Sequence, residues 1–143
     1  MKKTDSILVL NIMIPIIVGT MIYYVLSPEV IFVKQIDHFI GNGFHISSIN
    51  TGNILFRFIR NHFLDMLWGY ALVFALFFVM GNNTADLKKI FLPAFLFTLA
   101  MEFLQLTPIA HGTFDLWDIF VEFLAEAVAV FILKILQLRR NSK

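Results

Sequence analysis

An all-α fold, an integral membrane four-helix bundle with a long outer loop between its first two helices, is what the sequence predicts. Three observations carry that reading. Hydrophobic residues make up 59% of the 143 positions against 15% charged ones, where a water-soluble domain usually carries about 25% charge. Mean hydropathy is +0.80. The apolar residues gather into four runs near the roughly 20 residues that a helix needs to cross the hydrocarbon. The length fits one domain, 1–143, and 17 Phe with no Cys excludes a disulfide framework, a zinc–thiolate site and a lipoprotein anchor. A formal charge of +1 is too balanced to point to nucleic acid.

The first run, Ser6 to Leu26, follows Met1-Lys2-Lys3. It is longer than the apolar core of a secretory signal and lacks a small-x-small cleavage site, so it reads as a retained anchor. The second covers about 62–80 and stops at the turn cluster Gly81-Asn82-Asn83. The third, about 89–107, starts after Lys88-Lys89 and ends at Pro108. The fourth, about 115–138, ends in Arg139-Arg140. Between the first two runs lie 35 residues, Ser27 to Asn61, in which Val30 to Ile40 predicts a piece along the membrane surface. Gly41-Asn42-Gly43 and Ser47 to Asn53 read as turns, and Ile54 to Asn61 either forms a second surface piece or lengthens the second helix.

Orientation follows from the basic residues. Lys2, Lys3, Lys88, Lys89, Lys134, Arg139, Arg140 and Lys143 fall on one side, and Lys34, Arg57 and Arg60 on the other. The positive-inside rule then puts both termini in the cytoplasm of a multi-pass plasma-membrane protein, with Lys134 snorkelling to the inner interface. Trp68 and Trp117 near run ends read as interface anchors, and His38 and His45 as exposed loop histidines.

Ionisable side chains inside a span are costly, at least ~2.5–3.5 kcal/mol each at mid-bilayer, so each calls for a reason. At about 100° per residue Asp118, Glu122 and Glu126 fall at about 0°, 40° and 80° on the fourth helix, and Asp115 at about 60° if the helix includes it. Thr98, Glu102 and Gln105 share a face of the third helix, and His62, Asp65 and Gly69 a face of the second. Asn11, Pro15 and Gly19 give the first a small-residue face for close packing. In the predicted orientation Asp65, Glu102, Gln105, Asp115, Asp118 and Glu122 form an outward-facing polar pocket, with Glu126 about 13 Å below Trp117, near the midplane. So many carboxylates cannot all stay ionised side by side; some are protonated, paired or metal-bound. Arg57, Arg60, His62 and His111 are the cationic partners available on that side. Interhelical hydrogen bonding is the plain alternative for Asn11, Thr98 and Gln105. No Gly-rich phosphate loop, His-Glu-x-x-His, Gly-x-Ser-x-Gly or Cys nucleophile is present, so no catalytic residue, metal ligand or cofactor is assigned.

Glu102-Phe103-Leu104-Gln105, a short break and then Gly112-Thr113-Phe114-Asp115-Leu116-Trp117-Asp118-Ile119 together resemble the C-terminal half of VanZ-like membrane proteins, in which Glu-x-x-Gln ends one span and Phe-Asp-x-x-Asp opens the next. His62-Phe63-Leu64-Asp65-Met66-Leu67-Trp68-Gly69-Tyr70 is more loosely similar to the start of that family's second span. The resemblance covers roughly residues 60 to 130. It departs where the family has an Arg shortly before Phe-Asp and this chain has His111-Gly112, and where Glu122, Ala125 and Glu126 replace Asn and small residues. The resemblance implies a cell-envelope role, in a family implicated in low-level resistance to the glycopeptide teicoplanin, and implies no reaction. Partners follow as the lipid bilayer and a lipophilic or lipid-linked envelope ligand, with oligomers open. Two rivals stand beside it: a membrane-embedded enzyme acting on lipid-linked substrates, and a small proton- or cation-coupled carrier using Asp118, Glu122 and Glu126.

Overall fold

The computed structural model describes residues 3–26, 31–41, 54–80, 86–107 and 114–141, and every regular element among them is helical. The elements are α1 (Lys3–Leu26), α2 (Ile31–Ile40), α3 (Ile54–Phe58), a π-helical turn (Ile59–Phe63), α4 (Leu64–Val79), α5 (Lys88–Gln105) and α6 (Leu116–Asn141). Helices thus lie on all four apolar runs. The second reaches back to Ile54, because Phe58, Phe63 and Leu64 all keep right-handed helical dihedrals and α3, the π turn and α4 form one continuous rod. Of the two readings of Ile54 to Asn61, the lengthened helix is the one observed.

The chain ends are set by local chemistry. Asp86 accepts from the Lys88 amide at 3.1 Å and so starts α5. Asp115 lies just outside α6 and accepts from the Trp117 amide at 2.9 Å, which makes it a cap for α6 instead of a member of its acidic stripe. Thr107 closes α5 by returning its hydroxyl to the Leu104 carbonyl at 2.6 Å. The amphipathic α2 stops at Gly41, whose φ of 83° lies in the left-handed region and whose amide bonds the Asp37 carbonyl at 2.9 Å.

α4 is the hub. It packs along α1 on one side and α6 on the other, while α5 closes against α6 and α4. Small residues permit the approach: Gly19 faces Leu64 and Leu67, and Gly69 lies against the backbone of Glu122. Leu8, Val73, Phe74, Phe77, Ile90, Ala94, Ala129 and Leu133 form the core, toward the end of the bundle away from the acidic cluster. Among the described residues of α1, only Leu8, Pro15 and Gly19 are buried, all on the face turned to α4.

The exterior is apolar. Leu10, Ile14, Ile17 and Met21 on α1, Leu92, Leu96 and Phe103 on α5, and Phe120, Val128 and Phe131 on α6 are exposed, whereas Thr98, Glu102 and Glu126 are buried. Among the described residues one helix, Asp5–Leu26, has the length and composition to cross a membrane, with mean hydropathy 2.1. α5, at 18 residues, is shorter and α6, at 26, is longer, and both carry carboxylates and lysines.

Candidate functional site

Two polar constellations lie on the inner faces of α4, α5 and α6. At the first, near the start of α6, the π turn brings His62 Nδ1 to 2.6 Å from Asp118 Oδ1. A π turn adds a residue to one turn of helix and so rotates what precedes it. Here the rotated residue is a histidine, supported by a ring contact with Phe58 at 5.5 Å between centroids. Asp65, one turn further along, lies in the electrostatic reach of Asp118, Glu102 and His62.

From α5, Glu102 enters the same region with 5% of its surface exposed. Gln105, three residues on, donates to Glu102 Oε1 at 2.8 Å, so this side chain holds the carboxylate in place. The Asp115 amide points at Glu102 Oε2 at 3.4 Å, which ties the end of α5 to the start of α6. Asp115, Asp118 and His62 offer donor atoms within 4.8 Å of one another, a set that a divalent cation could bridge.

The second constellation lies deeper. Thr98 Oγ1 donates to Glu126 Oε1 at 2.8 Å, and Thr98 and Glu122 line the same cavity. Glu126 is completely buried, and its Oε2 has no partner among the described residues. Glu122 borders a cavity of about 380 Å³ that extends between α1, α4 and α5. On the α1 side of α4, Tyr70 donates to Asn11 Oδ1 at 2.6 Å while Asn11 returns its amide to the Ile7 carbonyl at 2.8 Å.

The structure therefore brings Asp65, Glu102, Gln105, Asp115, Asp118 and His62 together at one end of the bundle, and places Glu122 one turn deeper against Thr98 and Glu126. Of the other expected cations, Arg57 is exposed and has no ion pair with these carboxylates among the described residues. The Arg60 side chain and His111 lie outside the described residues, as do Gly112 and Thr113. His38 is exposed and His45 falls outside the description.

Three features escape a reading of the sequence alone: the π turn that aims His62, the pairing of Thr98 with Glu126, and the cavity. The spacing of Thr98 from Glu102 and Gln105 marks it as inward-facing, which is the one signal that hinted at its role. No family model, curated protein or solved structure matches the chain.

Proposed function

We propose that the chain is a multi-pass, VanZ-like protein of the plasma membrane, with both termini in the cytoplasm. It modulates the cell envelope, glycopeptide susceptibility included, by engaging a lipophilic ligand through an outward-facing acidic pocket. The observation that carries this reading is inverted polarity: carboxylates of three helices converge inside a bundle whose outer faces are leucine, isoleucine, phenylalanine and methionine. Water-soluble bundles expose their charges and bury their apolar faces; a bundle solvated by acyl chains does the reverse and keeps its ionisable groups in the interior. Of the charges that bar α5 and α6 from a simple hydropathy criterion, Glu102 and Glu126 are buried, Asp118 and Glu122 are half-buried, Lys88, Lys89, Arg139 and Arg140 lie near helix ends, and Lys134 is exposed.

The absence of native Cys makes topology directly testable. Single cysteines replacing Lys89 and Leu138 are expected to react with an impermeant maleimide only after the cells are opened, and one replacing Leu106 in intact cells. Labelling of all three in intact cells sinks the multi-pass reading. Function is tested by deleting the gene and restoring it as wild type, Asp118→Asn or Glu102→Gln, then measuring sensitivity to a panel of envelope-active drugs including teicoplanin. Equal sensitivity in every strain, with the variants folded and abundant, removes the envelope role.

One rival draws on a specific observation. The donor spacing of His62, Asp115 and Asp118 suits a membrane-embedded enzyme that holds a divalent cation and acts on lipid-linked substrates. That reading requires Mg²⁺, Mn²⁺ or Zn²⁺ to raise the melting temperature of the purified protein, and requires turnover of lipid extracts that disappears in Asp118→Asn.

A further inference from the structure

The cavity beside Glu122 has walls of one kind and a floor of another. Ile16, Trp68, Phe97 and Met101 make it apolar, and its inner end is formed by Thr98 and Glu122. Trp68, Phe97 and Met101 are each about half exposed, at 51%, 54% and 48%, so the mouth opens sideways on the outer surface of the bundle. At about 380 Å³ it falls in the range of small-molecule sites.

The floor is short of donors. A threonine hydroxyl has a single hydrogen, and here that hydrogen goes to Glu126 Oε1 at 2.8 Å. With both carboxyl groups ionised, that one hydrogen serves their four oxygens, and Glu126 Oε2, wholly buried, has no partner among the described residues. Among the described residues no lysine, arginine or histidine pairs with either glutamate. Asp65 and Glu102 add further negative charge around Glu122. An occupant that pairs with ionised Glu122 supplies donors and positive charge at its head and apolar surface along its body. A phosphate or carboxylate headgroup brings the wrong sign, and an alcohol brings one donor and no charge. A primary ammonium has three donors and no acceptor.

We propose that this cleft binds a long-chain primary ammonium amphiphile, its chain along Ile16, Trp68, Phe97 and Met101 and its headgroup on Glu122 and the Thr98 oxygen. The inference deepens the recognition of a lipophilic ligand proposed above and rests on that reading. Entry is lateral, from the acyl-chain region through the gap beside Trp68. The ammonium supplies donors to Glu122, so Thr98 keeps its bond to Glu126 while Glu122 is paired by the ligand.

Trp68 stands at the cleft and Trp117 is the only other tryptophan, so Trp117→Phe leaves a built-in reporter. The full chain carrying that change, in nanodiscs of neutral lipid, is titrated with chain-brominated octadecylammonium and with the matching brominated alcohol and alkyl phosphate. The amine is expected to quench Trp68 saturably, the other two only in proportion to their concentration in the bilayer. Glu122→Gln is expected to weaken amine binding at least about tenfold, the loss of one charge-assisted hydrogen bond. Ala75→Leu, which fills the cleft and keeps both glutamates, is expected to abolish saturable quenching and serves if Glu122→Gln fails to fold. Equal saturation by the alcohol, preference for the phosphate, undiminished amine binding in Glu122→Gln, or persistence in Ala75→Leu each overturns the proposal. Amine binding in a protein whose deletion leaves drug sensitivity unchanged sinks the envelope role and keeps the site; a drug phenotype without amine binding does the opposite.

Discussion

The ring of His62 and the carboxylate of Asp118, 56 positions apart in the chain, meet at 2.6 Å and fasten the π turn before α4 to the first turn of α6. Both side chains are largely withdrawn from the surface, at 20% and 16% exposure, so neither is easily rehydrated when the other is lost. Removing one partner of such a pair leaves the other short of a bond and costs more than removing both. His62→Ala and Asp118→Ala are each expected to lower unfolding stability by about 1–3 kcal/mol, and the double variant by at least ~0.5 kcal/mol less than the sum. A thermal or denaturant double-mutant cycle in detergent reads this directly. Strict additivity removes the pairing.

Gly69 sets the distance between α4 and α6. A Cβ placed on it would sit 3.5 Å from the Glu122 carbonyl oxygen, an ordinary contact, so Gly69→Ala is expected to lie within about 0.5 kcal/mol of wild type, any crowding being offset by the gain in helix propensity. Gly69→Leu brings its branches against the Glu122 backbone or into the cavity that Gly69 lines, and is expected to cost roughly 1–3 kcal/mol. It also pushes Glu122 away from Thr98. Melting temperatures of the two variants check the order; an alanine variant as unstable as the leucine one shows the interface to be tighter than it is drawn.

The helices were legible in the sequence because length and punctuation suffice to define them: four apolar runs closed by Gly81-Asn82-Asn83, by Pro108 and by Arg139-Arg140. The inward faces of α5 and α6 were legible for a similar reason, since a carboxylate within an apolar run has to point away from an apolar exterior. The sequence leaves open whether Asp115 belongs to the last helix, because angular spacing cannot tell the last residue before a helix from the first residue within it, and the structure puts it just outside α6. The π turn was hidden, since helical periodicity assumes one value for every turn and the extra residue is stabilised by a contact 56 positions away. The cleft was hidden too. Ile16 and Phe97 face the same cavity only after α4 has arranged α1 and α5 around itself, and no local pattern encodes that.

Thr98 is the donor on which the interior of α6 depends. With Glu126 at no exposure, its only bond among the described residues is the 2.8 Å contact from Thr98 Oγ1. Thr98→Val keeps the shape and removes the hydrogen, leaving both oxygens of a buried carboxyl group without a partner, at an expected cost of about 1–3 kcal/mol. Glu126→Leu removes the polar group itself and is expected to be milder, since an apolar side chain of similar size suits a fully buried position. In the Glu126→Leu background Thr98→Val should cost little more. A full penalty there, measured by thermal unfolding, shows that Thr98 acts through Glu122 instead.

The surface helix α2 is held by a side chain from the end of α1. Tyr24 donates its hydroxyl to Asp37 Oδ1 at 2.6 Å, and Val33 is fully buried, whereas Phe39 and Ile40 are exposed at 94% and 66%. Ten residues are too few for a stable helix by propensity alone, so α2 depends on these attachments for its order. Tyr24→Phe preserves the ring and removes the hydroxyl. Losing about 1–2 kcal/mol from a locally opening segment speeds amide exchange roughly 5- to 30-fold. That acceleration is expected within Ile31–Ile40 and not in α4 or α6, whose protection comes from their packing on one another and on their neighbours. Asp37→Asn, which retains an acceptor oxygen, should lie between wild type and Tyr24→Phe. Hydrogen exchange read by mass spectrometry decides the matter: acceleration spread evenly over α1, α2, α4 and α6 makes Tyr24 part of the global fold and not a local tether, and no acceleration in α2 shows that Val33 alone is enough to hold it.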